Sequence, residues 1–203
     1  ACLSYGERGE SQWAWKAAGV RLEDVKAQRQ EEAAKAAAIL GAEIEFFDAG
    51  DYPLKVTEAV LDRLVDIYRE EKPAFVLTHA LEDPYNFDHP VAAHAAQEAR
   101  VIAQAAGHKP DPSRSYAAPP VFLFEPHQPE QCNFKPQVIL NIDEVWETKF
   151  QAFQVLAAQK HLWDYYTRVA LNRGVQGGRN SGRPMTYGEA YQRLFPDAME
   201  VLA

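Results

Sequence analysis

Asp88-His89, followed by Pro90, is the most chemically promising pair in this 203-residue sequence. A neutral imidazole is a good zinc ligand, and a nearby carboxylate commonly fixes its tautomer and orientation. The competing reading is an ordinary helix N-cap, Asp88, with His89 in the first turn. A second candidate is the loop Ser4-Tyr5-Gly6-Glu7-Arg8-Gly9-Glu10-Ser11. Its glycines permit backbone angles that turn a carboxylate into a pocket, where a glutamate could take a proton from water. The alternative is an exposed charged loop. A third is His127, with Pro126 before it and Pro129 after Gln128. Those rigid flanks suit a positioned acid or base and suit an ordinary turn equally well. Arg168, Arg173, Arg179 and Arg183 gather late in the chain. They could grip carboxylates through paired hydrogen bonds or simply be solvated.

These residues need a scaffold, and apolar runs alternating with helical patterns predict an α/β domain with a mainly parallel sheet. The expected strands are Ala1–Ser4, Ile44–Phe47, Ala74–Thr78, Val121–Phe124 and Val138–Ile142. Helices are expected at about Glu23–Leu40, with Val25, Ala33, Ala36, Ala37 and Leu40 on one face, and at Thr57–Glu70, N-capped by Thr57. A third starts near Pro90 and runs to about Ala106, and a fourth follows Asp143 as N-cap. Lys109–Pro120 and Gln176–Arg183 read as loops, and Tyr187–Phe195 as a short closing helix. In open α/β sheets ligands bind beyond the carboxyl ends of the strands. That rule collects His79, His89 and His127 at one edge.

The formal net charge of −8 argues against a nucleic-acid partner, which requires a basic face. It leaves room for an anionic substrate held by local arginines. Two cysteines, Cys2 and Cys132, fit a reduced, cytoplasmic protein rather than a disulfide scaffold. No apolar run approaches the roughly 18 residues of a membrane span. GxSxG, Walker, CxxC, HExxH and GxGxxG motifs are absent. Homo-oligomerisation is left open.

Longer blocks carry a family resemblance. Arg29-Gln30-Glu31-Glu32-Ala33 with Ala36-Ala37-Ala38-Ile39-Leu40-Gly41 resembles the second helix of the LmbE/PIG-L family. Asp88-His89 resembles that family's third zinc-ligand site. Lys149 through Gln159 and Tyr187-Gly188-Glu189-Ala190 resemble its C-terminal helix and closing motif. Leu3 through Ser11, Phe124 through Cys132 and His161 through Gln176 look like the family's 4-oxalomesaconate-hydrating branch rather than its sugar deacetylases.

The resemblance covers almost the whole chain and implies a three-layer Rossmann-like fold with a mainly parallel sheet. It implies a zinc-dependent hydro-lyase of gallate- or protocatechuate-type aromatic catabolism. Such an enzyme adds water to the C=C of 4-oxalomesaconate, a small polycarboxylate, to give 4-carboxy-4-hydroxy-2-oxoadipate. It further implies Glu10 as the base activating water, His127 as acid/base or orienting partner, and His89 as metal ligand with Asp88 beside it. Arg8, Arg168 and Arg173 are the candidates for substrate carboxylates. The family's AHxxD-type motif is not found. Residues 1–203 are therefore expected to be a single domain lacking its first strand and that motif. Zinc-dependent N-deacetylation of an amino-sugar conjugate is the rival activity. An inactive, truncated, metal-free binding fragment is the third reading.

Overall fold

A computed structural model describes residues 1–9, 11–110 and 118–196. Its elements are α1 (Leu22–Leu40), α2 (Glu58–Glu71), β1 (Val76–Thr78), α3 (Asp88–Gln104), β2 (Val121–Phe124), β3 (Val138–Asn141), α4 (Trp146–Gln154), α5 (Trp163–Ser181) and β4 (Gly188–Arg193). The four strands are ordered β1-β2-β4-β3. The chain clusters into two compact units, Ala1–Lys55 with Ile139–Glu189 and Val56–Val138 with Ala190–Ala203. Each draws on two separate stretches of sequence. No described helix is long and apolar enough to cross a membrane.

In the first unit, Cys2 and Phe46 form an isolated parallel bridge, the remnant of the two strands expected there. Helix α1 buries Val25 of the expected apolar face together with Glu32, with Ala33, Ala36 and Ala37 half-buried and Leu40 exposed at its end. A buried carboxylate is costly unless hydrogen-bonded. Glu32 accepts from Gln28 Nε2 (2.7 Å), Arg29 Nη1 (2.9 Å) and the Ala158 N–H (3.1 Å). These bonds tie α1 to the 3-10 turn Ala157–Leu162.

Trp146 of α4 stacks on Tyr187 with ring centroids 4.1 Å apart, in a cluster with Ile142, Ala170, Phe150 and Phe153. Asp143 does not cap a helix as expected. Its carboxylate accepts the N–H groups of Thr186 (3.0 Å) and Tyr187 (2.6 Å), fastening the turn that follows α5.

Gln176–Arg183, expected as a loop, largely continues α5 to Ser181. The glycines there serve close packing rather than freedom. A Cβ on Gly174 would land inside the Thr186 carbonyl, and one on Gly177 would meet Met185 and Ile139.

In the second unit, β1 pairs parallel with β2 in the register Val76↔Val121, Leu77↔Phe122 and Thr78↔Leu123. β2 pairs antiparallel with β4, Phe122↔Arg193 through Phe124↔Tyr191. The α/β class is as expected, while the sheet is mixed rather than mainly parallel, because β4 runs antiparallel to β2. The expected helix at Tyr187–Phe195 is strand β4. Its helix-forming Glu189 and Ala190 are overridden because β2 needs a partner for its backbone groups.

Helix α2 is capped as expected, Thr57 Oγ1 accepting the Val60 N–H at 3.3 Å, and it packs along α3. Arg69, 5% exposed, reaches from α2 to the end of α3. It donates to the carbonyls of Ala103 (3.1 Å), Ala105 (3.1 Å) and Lys109 (3.3 Å). The Ala103 carbonyl is one that a helix C-terminus leaves unpaired, and those of Ala105 and Lys109 belong to the turn that follows. Tyr68 adds a hydrogen bond from its hydroxyl to the Ala96 carbonyl at 2.9 Å. The exposed Lys109–Pro120 loop was expected from the sequence; its residues 111–117 lie outside the described residues.

Candidate functional site

The second unit carries a histidine-centred cluster beyond the carboxyl ends of β1 and β2. β1 ends at Thr78 and delivers His79, β2 ends at Phe124, and the turn 83–87 leads His89 into the first turn of α3. His79 stacks on His89, ring centroids 4.1 Å apart and 12° from parallel, and meets Phe124 edge-on at 4.6 Å. Burial, reinforced by the neighbouring His89, pushes the His79 imidazole down to about 3. It is a neutral wall at physiological pH.

Asp83 is the centre of this turn and is 8% exposed. Its Oδ1 accepts the N–H groups of Tyr85 (2.9 Å) and Asn86 (3.1 Å), and its Oδ2 meets His89 Nδ1 at 2.8 Å. Burial alone would raise the Asp83 carboxyl. The hydrogen bonds from His89, Tyr85 and Asn86 outweigh it and hold the group below the usual carboxylate range. Asn86 Oδ1 accepts the Asp88 N–H at 3.0 Å, and Asn86 Nδ2 faces His89 Nε2 at 3.0 Å. The carboxylate on the His89 ring is thus Asp83, where the sequence reading had placed Asp88. Cys132, 4% exposed, lies against the same group. Burial, with Asp83 beside it, pushes its thiol up to about 11.

Asp83 and Asn86 were missed as site residues, although the sequence carried a signal. Each is an Asx residue whose side chain bonds the N–H two positions on, so Asp83-Pro-Tyr-Asn-Phe-Asp-His reads as two Asx turns in series. His127 is exposed and lies just before a tight turn. There the Gln128 carbonyl accepts the Gln131 N–H at 3.1 Å, and the Pro129 carbonyl accepts the Phe134 N–H at 3.0 Å.

The first unit contains the glycine-punctuated loop. Gly6 sits at φ +69°, a left-handed angle that favours glycine. Its N–H is held by Ser4 Oγ at 2.9 Å. Asp51, 5% exposed, accepts the successive N–H groups of Arg8 and Gly9, the latter at 2.9 Å. Trp15 Nε1 donates to the Glu7 carbonyl at 2.7 Å.

Glu7 is turned inward to 1% exposure, and its Oε2 has no hydrogen-bond partner among the described residues. Burial pushes its carboxyl up, and the Asp51 charge adds to that against the pull of its own N–H and of Lys26. Glu10 lies outside the described residues. The Arg8 side chain is exposed. Arg168 forms an exposed ion pair with Asp164 one helical turn away. Arg173, half-buried, donates to Gln176 Oε1. Arg8, Arg168 and Arg173 thus belong to the first unit, and His89, Asp88 and His127 to the second.

Among the described residues, no group of three or more His, Cys, Asp or Glu side chains is placed to hold a metal ion. His89 suits the role of one ligand, with its ring fixed from behind by a carboxylate. The described residues do not supply the rest of a zinc site.

Comparison with known proteins gives a consistent grouping. The family model described as "PIG-L: GlcNAc-PI de-N-acetylase" matches residues 1–100. Over 206 aligned residues the chain is 54% identical to 4-oxalmesaconate hydratase of Pseudomonas putida, covering 100% of this chain and 80% of that protein. It is 31% identical over 162 residues to diacetylchitobiose deacetylase of Thermococcus kodakarensis, covering 74% of this chain and 59% of that one. Among solved structures, GalB, the 4-carboxy-2-hydroxymuconate hydratase of P. putida, superposes with a TM-score of 0.96 at 54% identity. That match spans 100% of this chain and 85% of the other. The N,N'-diacetylchitobiose deacetylase of Pyrococcus horikoshii shares the fold, with a TM-score of 0.73 at 22% identity over 95% of this chain and 71% of that one.

Proposed function

The chain belongs to the LmbE/PIG-L family, and from that premise we propose that it is a hydratase adding water across the C=C of 4-oxalomesaconate in aromatic-compound catabolism. The observation that carries this reading is 54% identity along the whole chain and 80% of a 4-oxalmesaconate hydratase. The deacetylase relative is 31% identical over 74% of the chain.

The two hydratase names, 4-oxalmesaconate hydratase and 4-carboxy-2-hydroxymuconate hydratase, refer to the keto and enol forms of one carbon skeleton. In the keto form, 4-oxalomesaconate, a C=C is conjugated with carboxylates. Water's oxygen bonds to the carbon bearing the branch carboxylate, and its proton ends on the neighbouring carbon. The product is the tertiary alcohol 4-carboxy-4-hydroxy-2-oxoadipate.

Such a reaction needs a base for water, an acid for carbon, and cations for three carboxylates. We assign the base to Glu10 and the acid/base or orienting role to His127. Arg8, Arg168 and Arg173 are assigned to substrate carboxylates. Supporting Arg168 is the weakness of its present pairing, because an exposed ion pair is worth at most about 1 kcal/mol and exchanges readily for a substrate carboxylate. A substrate with three negative charges approaching a chain of net charge −8 requires such local cations.

Among the described residues we assign His89 to the divalent metal expected of the family, zinc by resemblance, with Asp88 as its sequence neighbour. Localisation in the cytoplasm is part of the same proposal.

The test is consumption of the conjugated substrate by the purified protein, followed by loss of ultraviolet absorbance with the product identified by NMR. The Glu10→Gln variant is expected to lose about 10²- to 10⁴-fold in turnover. Undiminished turnover would remove Glu10 from the chemistry. A folded protein that leaves the substrate untouched but releases acetate from an N-acetylated amino sugar would replace the hydratase reading with deacetylation.

A further inference from the structure

We infer that Asp51 is a positioning residue: by holding the successive backbone N–H groups of Arg8 and Gly9, it directs the Arg8 guanidinium towards a substrate carboxylate. The inference deepens the assignment of Arg8 given above and rests on it.

The loop and the turn that holds it leave the same pair of strand remnants. The Cys2 N–H donates to the Glu45 carbonyl at 2.8 Å, the Phe47 N–H to Cys2 at 3.0 Å and the Ala49 N–H to Leu3 at 2.8 Å. Beyond that pairing one segment becomes the glycine loop. The other turns back on itself, closed by the Lys55 N–H on the Ala49 carbonyl at 2.8 Å. Gly50 supplies the left-handed angle this turn needs, φ +88°. Tyr52 adopts φ +42°, a conformation that a non-glycine residue keeps only where its surroundings impose it.

The turn thereby sets two adjacent residues against the loop. Asp51 Oδ2 takes the N–H groups of both Arg8 and Gly9. Tyr52 lies so close to Gly9 that a Cβ there would fall inside its ring. The main chain of Arg8 and Gly9 is held by a hydrogen-bonded carboxylate and an aromatic face together.

Charge explains why a carboxylate stands there. Successive N–H groups form a concavity that attracts anions, and Asp51 fills it from within the chain. Its carboxylate is engaged by main chain and makes no ion pair with the Arg8 side chain. Asp48, the other acid of this segment, is taken by Lys26 Nζ at 2.7 Å. The Arg8 side chain is exposed, and among the described residues it has no ion-pair partner. The loop thus offers an external anion one guanidinium, on a backbone whose direction is fixed beforehand. Such preorganisation lowers the cost of ordering a side chain on binding.

Two variants separate the holding from the fold. Asp51→Ala removes the acceptor, whereas Asp51→Asn keeps one oxygen for the same two N–H groups. Amide hydrogen exchange in the 203-residue chain reads the contact directly. The Arg8 and Gly9 amides should exchange about 10- to 100-fold faster in Asp51→Ala than in the wild type, the loss of hydrogen bonds to a charged acceptor. Asp51→Asn should retain most of the protection. Unchanged exchange of both amides in folded Asp51→Ala would overturn the inference, whatever the activity does.

Kinetics with 4-oxalomesaconate test the purpose of the contact. Asp51→Ala should raise KM about 10-fold or more and leave kcat within about threefold, as expected when ground-state binding is lost. Asp51→Asn should restore most of the difference. In an Arg8→Ala background, Asp51→Ala should add nothing further to KM, because the two residues act through one interaction. Additive effects, or a fall in kcat at constant KM, would overturn the positioning role. An unchanged KM in Arg8→Ala would remove Arg8 from substrate binding and the purpose of Asp51 with it, while the exchange rates show separately whether the contact exists.

Discussion

Mild acid should weaken the second unit through His79, and the size of the effect follows from its burial. The folded unit holds this imidazole near 3 against an ordinary 6.5, so the unfolded chain binds its proton first. Stability linked to His79 is then fully present above about 6.5 and is lost as pH falls from there towards 3. The complete loss is on the order of 5 kcal/mol, at about 1.4 kcal/mol per pH unit of separation. Between pH 7.5 and 5 it is about 2 kcal/mol by the same relation.

His79→Phe keeps an aromatic ring against His89 and Phe124 but cannot titrate. Urea unfolding of both proteins at the two pH values isolates the contribution as a double difference, in which other titrating groups cancel. All four tryptophans, Trp13, Trp15, Trp146 and Trp163, fall in the first unit. The readout is therefore hydrogen exchange of α3 peptides rather than tryptophan fluorescence. The wild type should lose about 2 kcal/mol more than His79→Phe on acidification. Equal losses would refute the reasoning, since a half-solvated imidazole would have no such gap.

Two other expectations are simpler to check. Gly174→Ala should destabilise by roughly 3 kcal/mol or more, because the added Cβ overlaps the Thr186 carbonyl and backbone must move on one side or the other; thermal melting of the variant decides it. Cys132, buried and with its thiol near 11, should be alkylated by iodoacetamide at pH 8 at least about 100-fold more slowly than a free cysteine, since thiolate is the reacting form. Peptide mapping by mass spectrometry measures the rate at that site.

Sequence reading succeeded where local and tertiary demands agreed. The ends of α1 and α2, the Thr57 cap and strand β2 all emerge from apolar spacing and capping chemistry. It failed where a long-range partner overrode local preference. β4 carries helix formers, yet it extends because β2 requires a neighbour. The glycines of α5 read as loop residues, and nothing local says that Thr186 and Met185 will press against them. Asp143 has the composition of an N-cap but is taken up by Thr186 and Tyr187, more than forty positions away.

At the candidate site, the histidines beyond β1 and at the start of α3 were legible from the carboxyl-end rule. The identity of the orienting carboxylate was not. Sequence adjacency suggested Asp88, whereas the turn geometry places Asp83 on the ring.

The three carbonyl bonds of Arg69 give helix α3 an unusual relation to mutation. Its far end is clamped to α2, and its near end is clamped through Asn86 and Asp83. A helix pinned at both ends can change side chains along its exposed face with little penalty, but it cannot change length. One inserted residue between His89 and Ala103 would rotate the two ends about 100° relative to each other, so either the guanidinium or the imidazole would lose its partners. Evolution and design can therefore vary the composition of α3, but its residue count is set by the two clamps.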